Sequence, residues 1–212
     1  MVTMTNNGAR RRGRPLGFNK NDALRKAMII FWEFGYEGTS VNDLVEGMGI
    51  TLQSFYTAFK SKANTYCSAL ELYHLLFAKK RLDILNNLDV FEAFHAYSQA
   101  SVKDFSSESN PKGCMVCLSA LTCGREHEFL VKASQKMRLD TISNFNLRII
   151  KGINDGQLKT TTPNSVAFAI GAVIQGISIQ ARDGVSTEKL LESSDYINTY
   201  LKSFSVKKNA SS

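Results

Sequence analysis

Helix-breaking residues are scarce in this chain, and that scarcity narrows the folds open to it. Only three prolines occur among the 212 residues, at positions 15, 111 and 163, so long stretches carry no residue that excludes a helix. Between them, apolar residues recur three and four positions apart, the spacing of one helix face. No run alternates in the manner of a strand, and no internal repeat is present. The sequence therefore predicts an all-α fold.

Two helices are predicted near the N-terminus. The first ends where Gly35 can take up the left-handed conformation of a helix C-terminus. The second begins at Ser40, which forms a capping-box pattern with Asp43, and Gly47 and Gly49 break it. The residues predicted to face inward from these two helices are Leu24, Ala27, Met28, Phe31, Phe34, Val41, Leu44, Val45 and Met48.

A third helix is predicted at about Leu52–Phe59, with Thr51 as its N-cap. Helices shorter than about 12 residues are marginal in water, so this one must be held by packing. Ser61 can cap a long fourth helix that reaches roughly Leu85. Five further helices are predicted near 89–106, 112–124, 126–153, 164–182 and 186–204.

The second and third helices have the spacing of a helix-turn-helix, whose second helix enters the major groove of DNA. The inner side chains would be Leu44, Val45, Met48, Ile50, Phe55 and Phe59, and the outer ones Thr51, Gln53, Ser54, Tyr56 and Thr57. Glutamine can read adenine with two hydrogen bonds. Lys60 and Lys62 follow the helix, where they could contact phosphates. Such a helix pair also occurs in domains that bind no DNA, so the motif alone leaves both interpretations open.

Positive charge is concentrated at the N-terminus. The chain carries a formal charge of +7, which favours a polyanionic partner, and the first twenty residues contain five basic residues and no acid. Within them Arg11, Arg12, Gly13, Arg14 and Pro15 include R-G-R-P, which resembles an AT-hook core lying in a narrow minor groove. A solvated tail that adds only nonspecific affinity is the alternative.

Residues 18–62 closely resemble the DNA-binding domain of the TetR/AcrR repressor family. The resemblance is carried by A-x-x-x-F-W-E-F-G-Y-E-G-T-S (27–40), D-L-V-E-G-M-G-I (43–50) and S-F-Y-T-A-F-K-S-K (54–62). It implies that residues 51–59 are the recognition helix and that the fourth helix presents its amide end to a phosphate. The candidate DNA-binding residues are Arg11, Arg12, Arg14, Ser40, Asn42, Thr51, Gln53, Ser54, Tyr56, Thr57, Lys60 and Lys62.

The remainder of the chain resembles the family more loosely, through K-G-C-M-V-C-L-S-A-L (112–121) and G-I-S-I-Q-A-R-D-G (176–184). The resemblance implies a homodimer whose last two long helices form a four-helix interface. Small residues in the uncharged run 165–180, at Ala167, Gly171, Ala172 and Gly176, are independently typical of close helix packing or of a subunit contact. The predicted organisation is a basic arm (1–17), a helix-turn-helix domain (18–63), a helical ligand-binding and dimerisation domain (64–205) and a tail (206–212).

Cysteine and aromatic side chains are the candidates for sensing. Cys114 and Cys117 share a helix face, and Cys123 and His127 are four residues apart. They could serve a thiol or soft-metal sensor, but their spacing is no standard zinc signature, and free cysteine often packs as a small hydrophobe. The aromatic residues could line a ligand pocket or fill the core. The candidate sensing residues are Phe94, Tyr97, Cys114, Cys117, Cys123, His127 and Phe145.

The helix-turn-helix pattern and the family resemblance together predict a DNA-binding regulator. The resemblance implies a repressor that binds a palindromic operator as a dimer and is released by a small-molecule, thiol-reactive or metal signal. The alternatives are an architectural protein of A·T-rich DNA and, less favoured, a thiol oxidoreductase using Cys114 and Cys117, which lacks the expected βαβ context. No enzyme activity, cofactor or resident metal is predicted. No apolar signal region follows Arg14, and 164–181 is too interrupted to span a membrane, so a cytoplasmic location with reduced thiols is expected.

Overall fold

The computed structural model describes residues 17–86 and 88–206, whose regular structure is almost all helical. In chain order the helices are α1 (Lys20–Phe34), α2 (Val41–Met48), α3 (Leu52–Phe59), α4 (Lys62–Tyr73), α5 (Lys79–Ile84), α6 (Val90–Phe105), α7 (Met115–Leu118), α8 (Glu128–Asn154), α9 (Pro163–Arg182) and α10 (Thr187–Lys202). A π-helical turn, His74–Ala78, joins α4 to α5, and a 3₁₀ turn, Arg125–His127, precedes α8. Within this part of the chain the one β pairing is an isolated bridge between Leu158 and Ser205. The predicted fold, an N-terminal three-helix helix-turn-helix domain followed by a helical bundle, is confirmed.

Short polar side chains begin the N-terminal helices. Ser40 accepts the backbone N–H of Asp43, and the Asp43 carboxylate accepts the backbone N–H of Ser40, so the predicted capping box is complete. These hydrogen bonds from Ser40 hold the pKa of Asp43 below its usual range. Thr51 and Ser61 cap α3 and α4, each side chain accepting a backbone N–H from the residue three positions later. Each cap satisfies a helix N–H that would otherwise lack a partner, so the starts of these helices are set locally.

The prediction that Phe34 faces inward from α1 is wrong. Phe34 is 64% exposed and lies along a surface groove with Ile30 and Gly47. Phe34 stands in the last turn of α1, where α2 offers a glycine and two acidic residues rather than an apolar cover. Trp32 points inward instead and is fully buried against Tyr73, with ring centroids 4.8 Å apart.

The predicted helix at 112–124 is also wrong in extent, because only Met115–Leu118 is α-helical. Gly113 has φ +80°, which no helix continues through, so the helix can begin only after it. At the other end the carbonyl of Ser119 accepts the N–H of Tyr36 at 2.8 Å rather than a helical partner. The segment therefore makes one helical turn, after which Ser119 contacts Tyr36 just beyond the end of α1.

The C-terminal bundle is built on α8, α9, α10 and α6. Helix α10 packs along α6, and α8 packs along α9. The length and apolar composition of α9 would suffice for a membrane span, but a core helix of a soluble protein passes the same test. Ile170, Ile174 and Ile177 are buried within the bundle, as expected of a core helix.

Candidate nucleic-acid interface

Helix α3 is held to the domain by two aromatic side chains. Phe55 and Phe59 are buried and stack with ring centroids 5.9 Å apart, and Phe59 also stacks on Phe18 at 6.5 Å. Both phenylalanines lie on one side of the helix, since they are four residues apart. The opposite side of this eight-residue helix is therefore exposed.

The turn between α2 and α3 is tight. Gly49 takes the left-handed conformation at φ +70° and ψ +39°, and its N–H donates to the carbonyls of Val45 and Glu46. The Ile50 N–H also returns to Val45, at 3.1 Å. Only Gly49, Ile50 and Thr51 separate α2 from α3, which is the short glycine-containing turn of a helix-turn-helix.

The exposed side of α3 carries most of the predicted polar residues. Thr51, Gln53, Tyr56 and Thr57 are exposed, and Ser54 is half-buried. Two hydroxyl groups already donate within the helix: that of Thr51 to Ser54 Oγ at 3.0 Å, and that of Thr57 to the Gln53 carbonyl at 2.8 Å. Gln53 and Tyr56 thus offer the longest exposed polar side chains on this face.

The two lysines after α3 lie in different surroundings. Lys60 is exposed and takes φ +69° at the end of the helix. The ammonium of Lys62 donates to the carbonyls of Tyr36 at 2.9 Å and Thr39 at 2.8 Å, and lies 4.1 Å from the centre of the Tyr36 ring. Lys62 therefore ties the start of α4 to the turn that follows α1.

Other predicted positions lie near the recognition helix or outside the described residues. Asn42 is exposed in the first turn of α2, beside the Ser40 cap. Lys20, which the motif did not single out, stands 5.4 Å from the Phe59 ring and adds an exposed cation beside α3. The sequence does not show that Lys20 lies near Phe59, since 39 positions separate the two residues. Arg11, Arg12 and Arg14 fall outside the residues that the structure describes.

A second candidate site is a small cavity of about 40 Å³ inside the bundle. Its wall contains four of the predicted sensing residues, Tyr97, Cys114, Cys117 and Phe145, together with Arg81 and Arg138. Arg81 is buried and paired with Asp104, and Arg138 donates to the Val116 carbonyl at 2.8 Å. A mainly apolar pocket with a few convergent polar groups is the usual form of a ligand site.

The remaining sensing candidates lie elsewhere. Phe94 is buried in the core behind the cavity, with its ring 5.5 Å from that of Phe145. The His127 ring is 4.9 Å from the ring of Tyr36, so it lies at the contact with the helix-turn-helix domain. Burial, with the charges of Glu37 and Cys123, raises the pKa of Tyr36 to about 12. Cys123 and His127 thus belong to this contact and not to the cavity.

The segment that carries Cys114 and Cys117 connects the cavity with α1. At its start the Trp32 indole donates to the Gly113 carbonyl at 3.2 Å, and at its end the Tyr36 N–H donates to the Ser119 carbonyl. The Tyr66 hydroxyl lies 2.6 Å from Ser119 Oγ. Among residues 17–86 and 88–206, no three His, Cys, Asp or Glu side chains are grouped to hold a metal ion.

Comparison with known proteins agrees with this geometry. Residues 23–64 match the family model described as bacterial regulatory proteins, tetR family. The HTH-type transcriptional repressor ComR of Escherichia coli K12 is 33% identical over 187 residues, covering 85% of this chain and 88% of ComR. The repressor BdcR of the same organism is 25% identical, covering 84% of this chain and 86% of BdcR.

A solved structure of the TetR family regulator CifR, a cysteine mutant in complex with 26-bp operator DNA, superposes with a TM-score of 0.86. It is 34% identical and covers 89% of this chain and 100% of that one. These relatives are transcriptional regulators rather than enzymes. The chain belongs to the TetR family of bacterial transcriptional regulators.

Proposed function

We propose that this regulator is a cytoplasmic, dimeric repressor that binds a palindromic operator through α3 and leaves it when a signal acts on the bundle cavity. The observation that carries the proposal is the exposed polar face of α3, which is held to the domain only by its other face. The operator complex of CifR, a relative at 34% identity, supports it. We assign DNA binding to residues 18–63 and signal binding and dimerisation to residues 64–205.

The residues of the interface divide by chemistry. Gln53 and Tyr56 reach furthest from α3 and are assigned to base edges, with Thr51, Ser54 and Thr57 beside them. Ser40, Asn42 and Lys60, with Lys20, are assigned to phosphates, which position the protein without reading sequence. Lys62 supports the interface from within. Arg11, Arg12 and Arg14 are proposed to reach a flanking minor groove, where their charge is favoured.

Dimerisation is assigned to α9 and α10 because both expose large apolar side chains. Those exposed on the two helices include Phe168, Val173, Ile179, Tyr196 and Tyr200. A monomer rarely leaves so many apolar side chains in water on adjacent helices unless they serve an interface. Pairing with the same helices of a second chain would cover them in a four-helix contact.

Release is assigned to a population shift. A ligand in the cavity can change DNA affinity only if it binds one arrangement of the dimer better than the other. Two recognition helices fit successive major grooves when they lie about 34 Å apart. The segment from Gly113 to Ser119 lines the cavity and contacts α1, so it offers a path by which the cavity can affect that spacing.

Nuclease footprinting on the DNA upstream of the regulator's own gene tests the proposal. We expect a protected inverted repeat, with protection extending into an adjacent A·T-rich minor groove if the N-terminal arginines bind there. Uniform coverage without a repeat would favour the architectural alternative, and absence of protection would contradict DNA binding.

Replacing Gln53 with alanine is expected to cost about 1–3 kcal/mol of operator binding and to relax the preference at one base step. The reason is that a glutamine in the groove selects a base through paired hydrogen bonds. Titration of operator and random duplexes would measure both effects. Gln135→Ala, at an exposed position of α8, is the matched control and should bind as the unaltered chain does. An equal loss on both duplexes would contradict base reading by Gln53.

A further inference from the structure

We propose that Cys114 and Cys117 form a dithiol that hydroperoxides convert into an intramolecular disulfide, and that this disulfide releases the repressor from DNA. The inference rests on the operator binding proposed above and names the class of signal that acts on the cavity. It is carried by the arrangement of the two thiols, by access to them, and by what their helix contacts.

The two cysteines stand one helical turn apart at the start of α7. Cys114 is the N-cap residue, and the Cys117 N–H donates to its carbonyl at 3.0 Å. Side chains three residues apart on a helix lie about 5–6 Å from each other at Cβ, whereas a disulfide holds its two Cβ atoms about 3.5–4.5 Å apart. Each cysteine is the first cause of the pKa shift of the other, which places the two sulfurs near each other. Bond formation therefore needs the two Cβ atoms to approach by about 1–2 Å, a local shift of the single helical turn α7.

The surroundings give the two sulfurs different protonation states. Hydrogen bonding from Cys117, with the charge of Arg81 and the Tyr73 hydroxyl, lowers the pKa of Cys114 to about 6, although burial opposes this. The Tyr73 hydroxyl donates to Cys114 Sγ at 3.4 Å. The hydrogen bond to Cys114, together with burial, raises the pKa of Cys117 well above its ordinary value. The two shifts therefore favour a nucleophilic thiolate at Cys114 and a protonated thiol at Cys117.

A small oxidant can reach the pair through the cavity. Both cysteines line its wall, and His74, Met137 and Thr141 line both the cavity and an adjoining surface groove. The groove runs beside the π-helical turn at His74–Ala78, and such turns often mark functional sites. A hydroperoxide is small and uncharged, so it can enter a site lined largely by apolar groups.

The reaction balances without a cofactor. The Cys114 thiolate attacks the near oxygen of the hydroperoxide and breaks the O–O bond, which yields a sulfenic acid and, after proton uptake, water or an alcohol. Once Cys114 is a sulfenic acid, the thiolate whose hydrogen bond and charge raised the pKa of Cys117 is gone. The Cys117 sulfur then attacks the Cys114 sulfur, an S–S bond forms, and the hydroxyl leaves with the Cys117 proton as water. Two thiols lose two electrons in total, and the peroxide gains them.

The other two thiols are not arranged for this chemistry. Burial, with the charge of Glu71, raises the pKa of Cys67. Burial and the charge of Glu37 likewise raise the pKa of Cys123. Both therefore remain largely protonated at neutral pH, where a thiol is a poor nucleophile. The structure thus concentrates reactivity at Cys114.

Oxidation at this position changes contacts that extend to the DNA-binding domain. The thiolate of Cys114 is an electrostatic partner of the buried Arg81 and accepts from Tyr73, and a disulfide removes its charge. Cys114 itself follows Gly113, whose carbonyl accepts from Trp32, and α7 ends at Ser119, whose carbonyl accepts from Tyr36. A rearrangement of α7 therefore bears on Trp32 in α1 and on Tyr36 in the turn that follows α1.

The test uses the full chain with Cys67→Ser and Cys123→Ser, so that only the pair remains. After hydrogen peroxide treatment, blocking of free thiols and trypsin digestion, the peptide 113–125 is expected to be unblocked and two hydrogens lighter than its reduced form. In the same samples, affinity for the upstream DNA is expected to fall at least tenfold and to recover with dithiothreitol.

Cys117→Ser on that background is the matched control, because it keeps the Cys114 sulfur and removes its partner. It is expected to form no intramolecular disulfide and to stay bound at peroxide doses that release its parent. Absence of the disulfide in the parent, a disulfide that leaves affinity unchanged, or equal release of the Cys117→Ser protein would each overturn the proposal. If the reduced protein does not bind the upstream DNA, the repressor function fails, while the peptide mass still decides the thiol chemistry.

Discussion

Replacing Phe55 with alanine is expected to lower the free energy of unfolding by about 3–5 kcal/mol. The Phe55 ring is fully buried and stacks on Phe59, and it is one of the two buried side chains of α3. A helix of eight residues has too few internal hydrogen bonds to persist without such packing. Chemical denaturation followed by circular dichroism would measure the loss, which should be accompanied by loss of operator binding.

The neighbouring residue supplies the control. Tyr56 is 50% exposed, and its ring meets that of Phe55 only edge-on, with centroids 5.4 Å apart, so Tyr56→Ala should cost about 0.5–1.5 kcal/mol of stability while weakening operator binding. The pair of variants separates the packing face from the reading face at adjacent positions. Wild-type stability in Phe55→Ala would show that α3 is held by contacts other than this ring.

Replacing Gly113 with alanine is expected to destabilise the protein by about 2–5 kcal/mol, as the sum of two costs. A left-handed backbone costs a side-chain-bearing residue about 1–2 kcal/mol, and Gly113 has φ +80°. Its added Cβ would also lie 2.6 Å from Leu118 Cδ1 and 2.7 Å from the Ser178 carbonyl oxygen, and overpacking costs about 1–3 kcal/mol. Urea denaturation is the measurement.

Gly156→Ala isolates the first of these costs. Gly156 has φ +70°, but a Cβ there would have nothing within 4 Å, so only the backbone cost of about 1–2 kcal/mol applies. If the two alanine variants were equally stable, Leu118 and Ser178 would have moved aside, and the packing around the start of α7 would be looser than the structure indicates.

Features that depend on near neighbours in the chain were predictable from the sequence. The capping residues Ser40, Thr51 and Ser61 begin their helices as expected, because a cap joins groups two or three positions apart. The inward positions of Phe55 and Phe59 followed from helical spacing. The fourth helix was predicted over its full length, although the π-helical turn within it was not.

Features that depend on distant partners were not predictable. Lys62 turns inward because two carbonyls, 23 and 26 positions earlier in the chain, converge on its ammonium, and no local pattern shows that. Phe34 has the spacing of a buried residue but lies beyond the apolar part of α2. The pairs Cys114/Cys117 and Cys123/His127 are near each other in the sequence, but the chain turns away after Ser119, so the first pair lines the cavity and the second lies beside Tyr36.

The contacts of Tyr36 bear on how regulators of this kind can be recombined. The Tyr36 N–H donates to the carbonyl of Ser119 in the bundle, and the Tyr36 carbonyl accepts from Lys62 at the start of α4. Both halves of the protein therefore contact the same residue. A chimera that joins these DNA-reading helices to the sensing half of another regulator would have to preserve that three-way match. Sensing halves should therefore be exchangeable between regulators when the chimera keeps Tyr36, Lys62 and the counterpart of Ser119 in contact.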